Sequence, residues 1–438
     1  MIHSQRTRPV KTHRCVARWT PASTLTVRPF TAVFALGALA AIATSATAQT
    51  PPAAPAPLTG GWQDGFILQT VNGDYRLTLG MTAQADGRFS LDTPAPFTDT
   101  FTLRKIRPTF TGRIAKYFDY KVMPDLGSGQ VVMRDAYLDA RFSPKFRVRM
   151  GKDKTPVGYE LLIGDAYVLF PERSIATSLI PNRDNGVQVQ GDLLANKLSY
   201  SAGVFNGIPD GTSSSTELDA NNGKDLAGRI ALLPFRSTAT PARPLTGLGF
   251  HLGTSTGKQT GALPAFRTSA TQTYFSYATG VTADGTRTRV TPAVFYYFKS
   301  FGGFAEYVRS TQSVSRAGAL TDVANHAWDV TASYVVTGDT TTDRGVRPRN
   351  NFDSAAGHLG ALQLLARVGQ LSVDPAAFSR NLAASTASRE AKQWSVEANW
   401  YPNYWIKYYI SYERTAFTGG TAARPTENAV ILRSQLAF

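Results

Sequence analysis

Beyond its first 48 residues, positive charge in this 438-residue chain gathers in two short stretches. TLRKIRPTFTGR (102–113) carries Arg104, Lys105, Arg107 and Arg113, and KFRVRMGKDK (145–154) carries Arg147, Arg149, Lys152 and Lys154. Clustering matters because charges more than about 10 Å apart are screened from one another at ordinary salt. Basic groups held close together draw in anions and replace part of their hydration shell. The plainer reading of each is a solvated face or a rim charge beside lipid headgroups. Catalysis has far less material. The histidines are His3, His13, His251, His326 and His358, with no pair at metal-ligand spacing and no H-E-x-x-H or G-x-S-x-G stretch. GTSTGKQTG (253–261) approaches a phosphate loop but has three residues between its first glycines and Gln259 after the lysine, so it reads as the end of an external loop. His251 and Asp329, with a serine, would be the material for a hydrolase.

The surrounding pattern sets where those cations can meet. YRLTLGMTAQAD (75–86) puts Tyr75, Leu77, Leu79, Met81, Ala83 and Ala85 on one parity and Arg76, Thr78, Gly80, Thr82, Gln84 and Asp86 on the other. That is a β-strand with one apolar and one polar face. The alternation returns as far as the last residue, as in Trp328-Val330-Ala332-Tyr334, Trp394-Val396-Ala398-Trp400 and Ile406-Tyr408-Ile410-Tyr412. Short connections (115–117, 143–145, 194–196, 299–302, 401–403) alternate with long ones (87–100, 206–223, 256–287, 371–391). Tight turns at one rim and long loops at the other mark a membrane barrel. Sixteen segments fit between Tyr75 and Phe438, those around 245–255 and 345–370 being weakly phased. Trp394 and Trp400 sit at the two ends of one segment, as interfacial aromatics do.

The expected fold is all-β: a transmembrane antiparallel β-barrel over residues 62–438, probed by lipid on its apolar parity and by water on its polar parity. Lys105, Arg107, Arg113, Arg147, Arg149 and Arg229 take the lumen parity, whereas Arg104, Arg134 and Lys152 take the lipid parity near loop-side strand ends. Thirteen bases and ten acids share the lumen parity, so net charge alone argues weakly for anions. A soluble β-sandwich also alternates, but neither the sixteen-fold regularity nor the start of the chain favours one.

That start has the three parts of a secretory signal. A basic, acid-free region (Arg6, Arg8, Lys11, Arg14, Arg18, Arg28) precedes FTAVFALGALAAIA (30–43) and then Ala46-Thr47-Ala48, placing cleavage after Ala48. QTPPAAPAPLTGG (49–61) follows as a short linker. Losing six bases and no acid lowers the formal charge from +15 to +9 and removes Cys15, the sole cysteine. Stability then has to come without disulfides. The basic residues alternate along strands instead of forming one patch, so nucleic acid is not the expected partner.

GKDKTPVGYE (151–160), FPERS (170–174) and IPNRDNGVQVQG (180–191) resemble the phosphate-selective porins of the O and P type. VVMRDAYLDARF (131–142), DLAGRIALLPF (225–235), HAWDVTASYVVTGD (326–339) and ANWYPN (398–403) extend the resemblance along essentially the whole chain after the leader. It implies a trimeric, sixteen-stranded outer-membrane channel whose third loop, here about 154–184, folds into the lumen with Leu161, Leu162, Ile163, Val168, Leu169 and Phe170 against the inner wall. It also implies an arginine ladder leading to lysines at a constriction. Arg104, Lys105 and Arg107 match the ladder stretch, and Lys152 and Lys154 match the narrow zone. Two departures stand out: Lys105 where the family pairs arginines, and Val157 where it carries an aromatic. Lysine keeps the charge but loses the planar bidentate fork, so an anion-preferring pore is better supported than a phosphate-specific one.

The expectation is a passive channel in the bacterial outer membrane, not an enzyme. It passes small inorganic anions, with phosphate or polyphosphate-like solutes in first place. It has no cofactor or metal, sits in outer-membrane lipid and assembles as a homotrimer. The alternatives are a general, weakly selective pore and, from another class, a barrel hydrolase or a soluble carbohydrate-binding β-protein.

Overall fold

The alternating segments close on themselves. The computed structural model describes residues 57–438 apart from 215–218, 220, 238–242 and 421–422, so the leader expected over 1–48 lies outside the described residues. A hairpin comes first, β1 (Leu58–Trp62) and β2 (Phe66–Thr70). The barrel strands follow as β3 (Arg76–Ser90), β4 (Thr100–Ile114), β5 (Phe118–Asp125), β6 (Val132–Ser143), β7 (Phe146–Lys154), β8 (Arg183–Leu193), β9 (Leu198–Phe205) and β10 (Asp225–Leu232). The second half is β11 (Leu248–Gly261), β12 (Val281–Phe298), β13 (Phe301–Arg316), β14 (Ala319–Val335), β15 (Ala361–Ser372), β16 (Ser388–Tyr401), β17 (Ile406–Gly420) and β18 (Glu427–Ala437). Each barrel strand pairs antiparallel with the next, and β18 closes on β3 with Leu432 opposite Gly87. The expected sixteen-stranded antiparallel barrel is what forms.

Its packing is inverted relative to a water-soluble protein. Val368, Val396 and Ile410 are 46%, 47% and 55% exposed on the outside, while their neighbours Arg367, Glu397 and Ser411 are 2%, 5% and 1% exposed on the inside. Only a surrounding of hydrocarbon makes that arrangement favourable, because the outward apolar groups gain nothing in water. The apolar parity of each strand supplies the outer face.

The turns and loops depart from the sequence reading in four places. The expected linker over 49–61 overlaps β1, which pairs with β2 from Leu58↔Thr70 to Trp62↔Phe66. The expected loop over 256–287 is shorter, because β11 and β12 stay paired out to Gly261↔Ala283; GTSTGKQTG is therefore strand, not a loop end. β13 and β14 meet through residues 317–318 alone on the loop side, and 336–360 is a long excursion on the turn side. The strand sought around 345–370 is β15, with a two-residue hairpin, Thr341–Thr342 against Gly345–Val346, ahead of it.

The hairpin also braces the seam. Along β3, residues 76–79 pair with β2 and residues 82–90 pair with β18. Met81 and Phe438 exchange backbone hydrogen bonds of 2.8 and 2.9 Å between these two stretches. Trp62 lies 5.3 Å from the Phe438 ring and 5.7 Å from Trp405, forming an aromatic cluster at the turn-side rim.

Candidate functional site: the constriction and its cations

The third loop, residues 155–182, folds inward and divides the lumen into unlike halves. On one side it is packed. Val157, Leu161, Ile175, Leu179 and Ile180 join Val308, Val314, Val323, Ala327 and Leu371 of β13–β15 in one buried cluster. Tyr159, Leu169 and Phe170 join Phe295, Phe304 and Leu365 in another. Burying a large aliphatic or aromatic side chain is worth about 1.5–3 kcal/mol each, so the loop is held by its apolar residues. Leu161, Val168, Leu169 and Phe170 are buried, in the place expected for them, while Leu162 and Ile163 are half-buried.

Polar groups of the wall then fix its path. Glu306 accepts the backbone N–H groups of Tyr159 (2.6 Å) and Glu160 (3.1 Å). Arg367 donates to the Glu172 carbonyl at 2.9 Å, Lys407 to Val168 at 3.1 Å and Gln435 to Ala166 at 2.9 Å. Arg433 donates to the Pro171 carbonyl. Gly158 makes the entry turn with φ +82°, and a side chain there would meet Ile180 at 2.5 Å. Gly253, the first glycine of GTSTGKQTG, gives the loop its seat: a Cβ there would lie 3.1 Å from the Gly158 nitrogen and 2.6 Å from the Thr291 hydroxyl.

The other half of the lumen is open. Between the loop and β3–β10 runs a cleft of about 350 Å³ whose lining includes Arg107, Lys121, Arg149, Lys154, Arg183 and Arg229 against Asp135, Asp153 and Asp165. Six cations face three carboxylates, a formal excess of three positive charges. Arg107 bonds Asp125 (2.8 Å) and Asp165 (2.5 Å), and Arg183 bonds Asp135 (2.6 Å) and Asp165 (3.1 Å). Arg149 pairs with Asp139 at 2.6 Å and with Asp153, its guanidinium 3.9 Å from the centre of the Tyr137 ring. Lys154 donates to the loop carbonyls of Leu161 and Ile163, both at 2.7 Å, and has no carboxylate partner. Arg229 stands apart: it is half-buried in the lining and makes no hydrogen bond or ion pair with any described residue.

Asp165 organises the narrow zone. It takes ion pairs from Lys105 (3.5 Å), Arg107, Arg173 (2.8 Å) and Arg183. Burial works to raise its carboxyl, but Lys105, Arg173, Lys154 and Arg107 outweigh that and hold it well below the usual carboxylate range. Glu172 behaves alike: burial opposes ionisation, and Arg104, Arg88 and Arg433 overcome it.

The sequence-expected residues thus take four positions. Arg107, Arg149, Lys154 and Arg229 line the cleft. Arg104 and Lys105 clamp the loop, Arg104 through a fork on Glu172 at 2.7 and 3.0 Å. Arg113 pairs with Asp119 (2.9 Å) and Arg147 with Asp192 (3.7 Å), near the turn-side ends of their strands. Lys152 is 4% exposed and donates to the Ser214 carbonyl of the fourth loop at 2.7 Å. The lipid parity expected for Arg104 and Arg134 does not hold. Each is the extra residue of a bulge, between the pairs Gln84↔Lys105 and Ala85↔Leu103 and between Met123↔Asp135 and Pro124↔Met133, and a bulge re-aims the side chain. Arg134 bonds Asp125 at 3.1 Å as a result. Arg183, Arg173, Asp165 and Glu172 were not among the expected residues.

The hydrolase alternative finds no relay. Both His251 ring nitrogens lack a partner, and Asp329 accepts the Ser174 hydroxyl directly at 2.9 Å. Among the described residues no group of three His, Cys, Asp or Glu side chains is placed to hold a metal.

A family model described as phosphate-selective porin O and P matches residues 77–438. The chain belongs to that family. Among solved structures, the porin is similar in fold to the outer-membrane channel DcaP of Acinetobacter baumannii, with 12% identity, TM-score 0.53, and coverage of 84% of this chain and 99% of that one. It is equally similar to OmpF of Salmonella typhi, solved with daunomycin, at 13% identity, TM-score 0.53, and 84% and 100% coverage. OmpT of Vibrio cholerae in its trimer form gives 12% identity, TM-score 0.51, and 83% and 99% coverage. Among curated protein sequences none matches this one. Membership of that family makes the porin a passive outer-membrane channel.

Proposed function

We propose that this porin selects small anions, with phosphate and polyphosphate-like solutes as its physiological class, and works as a homotrimer exported by a leader over residues 1–48. The carrying observation is the cleft's excess of three positive charges with Arg229 left unpaired. Fixed cations in a narrow, partly dehydrated zone lower the barrier for an anion and raise it for a cation. Protein carboxylates already occupy most of the cleft cations, so contact with a passing anion stays weak enough for exit. Arg229 makes no direct ion pair with a described carboxylate, and Lys154 is held by the loop carbonyls of Leu161 and Ile163. The trimer is supported by the trimer form of OmpT with the same fold.

A general, weakly selective pore is the second reading, favoured by the many cations tied up in ion pairs. Reversal potentials in a KCl gradient across planar bilayers separate the two. Anion preference is expected; cation preference refutes the assignment. Chloride, phosphate and pyrophosphate currents compared side by side then test the substrate class.

A further inference from the structure

Beyond the tip of the third loop the cleft opens into a second chamber of different chemistry. Thr82 and Ala166 line both spaces, so they meet at the loop apex. The chamber holds about 160 Å³, and five aromatics share its wall: Tyr167 of the loop, Tyr401, Tyr404 and Trp405 at the turn between β16 and β17, and Phe438. Arg344, from the hairpin within the long turn-side excursion, stands at its edge, and Lys407 lies in its wall.

Most of these groups are fixed. The Tyr401 hydroxyl donates to Gln363 at 2.8 Å, and Lys407 is held by the loop carbonyls. Arg347 lies over the Tyr404 ring at 3.8 Å and pairs with Asp64, the one acidic side chain of the lining, at 3.3 Å. Two polar groups have no protein partner. The Arg344 guanidinium is exposed and makes no hydrogen bond or ion pair with any described residue. The Trp405 indole N–H is buried and unsatisfied.

A cavity of about 150 Å³ is enough to take a benzene-sized ring, and ring faces and edges favour another ring over an aliphatic group. A free guanidinium at the edge of such a space recognises a carboxylate. We propose that this chamber is a dwell site for anions built on one aromatic ring, of the benzoate type, so that the channel's permeants include aromatic carboxylates. The proposal rests on the anion-conducting reading above and adds an organic substrate class to it.

Chloride current through the intact porin, with benzoate, cyclohexanecarboxylate or acetate added, tests it. Benzoate should reduce the current at a roughly tenfold lower concentration than acetate, with cyclohexanecarboxylate nearer to acetate. Arg344→Ala should shrink that advantage to within about twofold, Arg344→Lys should keep part of it, and neither should move the KCl reversal potential. Equal sensitivity to benzoate and acetate in the unmodified porin, or an unaltered benzoate advantage in Arg344→Ala, overturns the aromatic site while leaving anion selectivity standing. Loss of anion preference in the unmodified porin overturns the parent reading, and this one with it.

Discussion

Arg229→Ala is the sharpest probe of the cleft, because it removes a charge without leaving a carboxylate behind. Each of the ion-paired cleft arginines is tied to at least one acid, so its removal changes two or three groups together. Arg229 touches none, and its loss simply lowers the formal excess from three to two. An anion at about 5 Å from a guanidinium gains about 0.8 kcal/mol in bulk water and about 3 kcal/mol at an effective dielectric near 20. The residue is half-buried in a hydrated cleft, so a value toward the lower end applies. At 1.4 kcal/mol per tenfold, the anion-to-cation permeability ratio should fall roughly fivefold to tenfold. The assay is the zero-current potential of many inserted channels in a KCl gradient. Lys258→Ala, an exposed charge on β11 outside the cleft lining, serves as the control and should change the ratio by less than about twofold. An unmoved potential in Arg229→Ala, or equal shifts in the two variants, would show that the cleft is not the selectivity zone.

Asp165→Asn should raise anion preference while weakening the loop, since Lys105, Arg107, Arg173 and Arg183 lose their shared carboxylate; breaking such buried pairs costs about 3–5 kcal/mol. Trypsin cleavage at Arg173 reports the loosening, and a loop that stays protected with an unchanged permeability ratio counts against the hub. Val368→Arg puts a cation on the lipid face of β15 and should destabilise the barrel by about 2–4 kcal/mol in urea titrations from liposomes; a neutral result would mean that face is not in hydrocarbon. Because Asp165 and Glu172 are held below the ordinary carboxylate range, the stability they lend is complete only above about pH 5 and declines progressively as the pH falls from there through their lowered values. The ion-pair hub should therefore loosen only below about pH 5, seen as rising current noise from the loop, and noise that stays flat down to about pH 2 contradicts the assignment.

The wall was legible in the sequence because a barrel needs only the sign of each alternation, and Leu77, Val368 and Ile410 carry it unaided. β11 and β12 were read short because their outer halves, GTSTGKQTG and VTADGTRTRV, rise above the lipid and no longer need apolar residues on the outside. Parity failed at Arg104 and Arg134 because one inserted residue reverses every later side chain, and nothing in LRK or MRD marks the insertion. The division of cations was illegible for another reason. Arg433 and the Pro171 carbonyl are 262 positions apart, so whether an inward arginine clamps the loop or faces the cleft depends on contacts across the lumen. The motif GKDKTPVGYE located Lys154, but no pattern distinguishes Asp165 as the acid that four cations share.

The brace at the seam bears on how the cylinder can shut. One strand, β3, pairs with both extremities of the described chain: β2 takes its residues 76–79 and β18 its residues 82–90. The two segments abut end to end at Phe438, whose ring is gripped by Trp62 and Phe66. Peeling β18 outward from its terminus would have to unstack that grip before breaking its first rung on β3. The line where a closed sheet is most easily unzipped is spliced here by residues that precede the family-matched stretch.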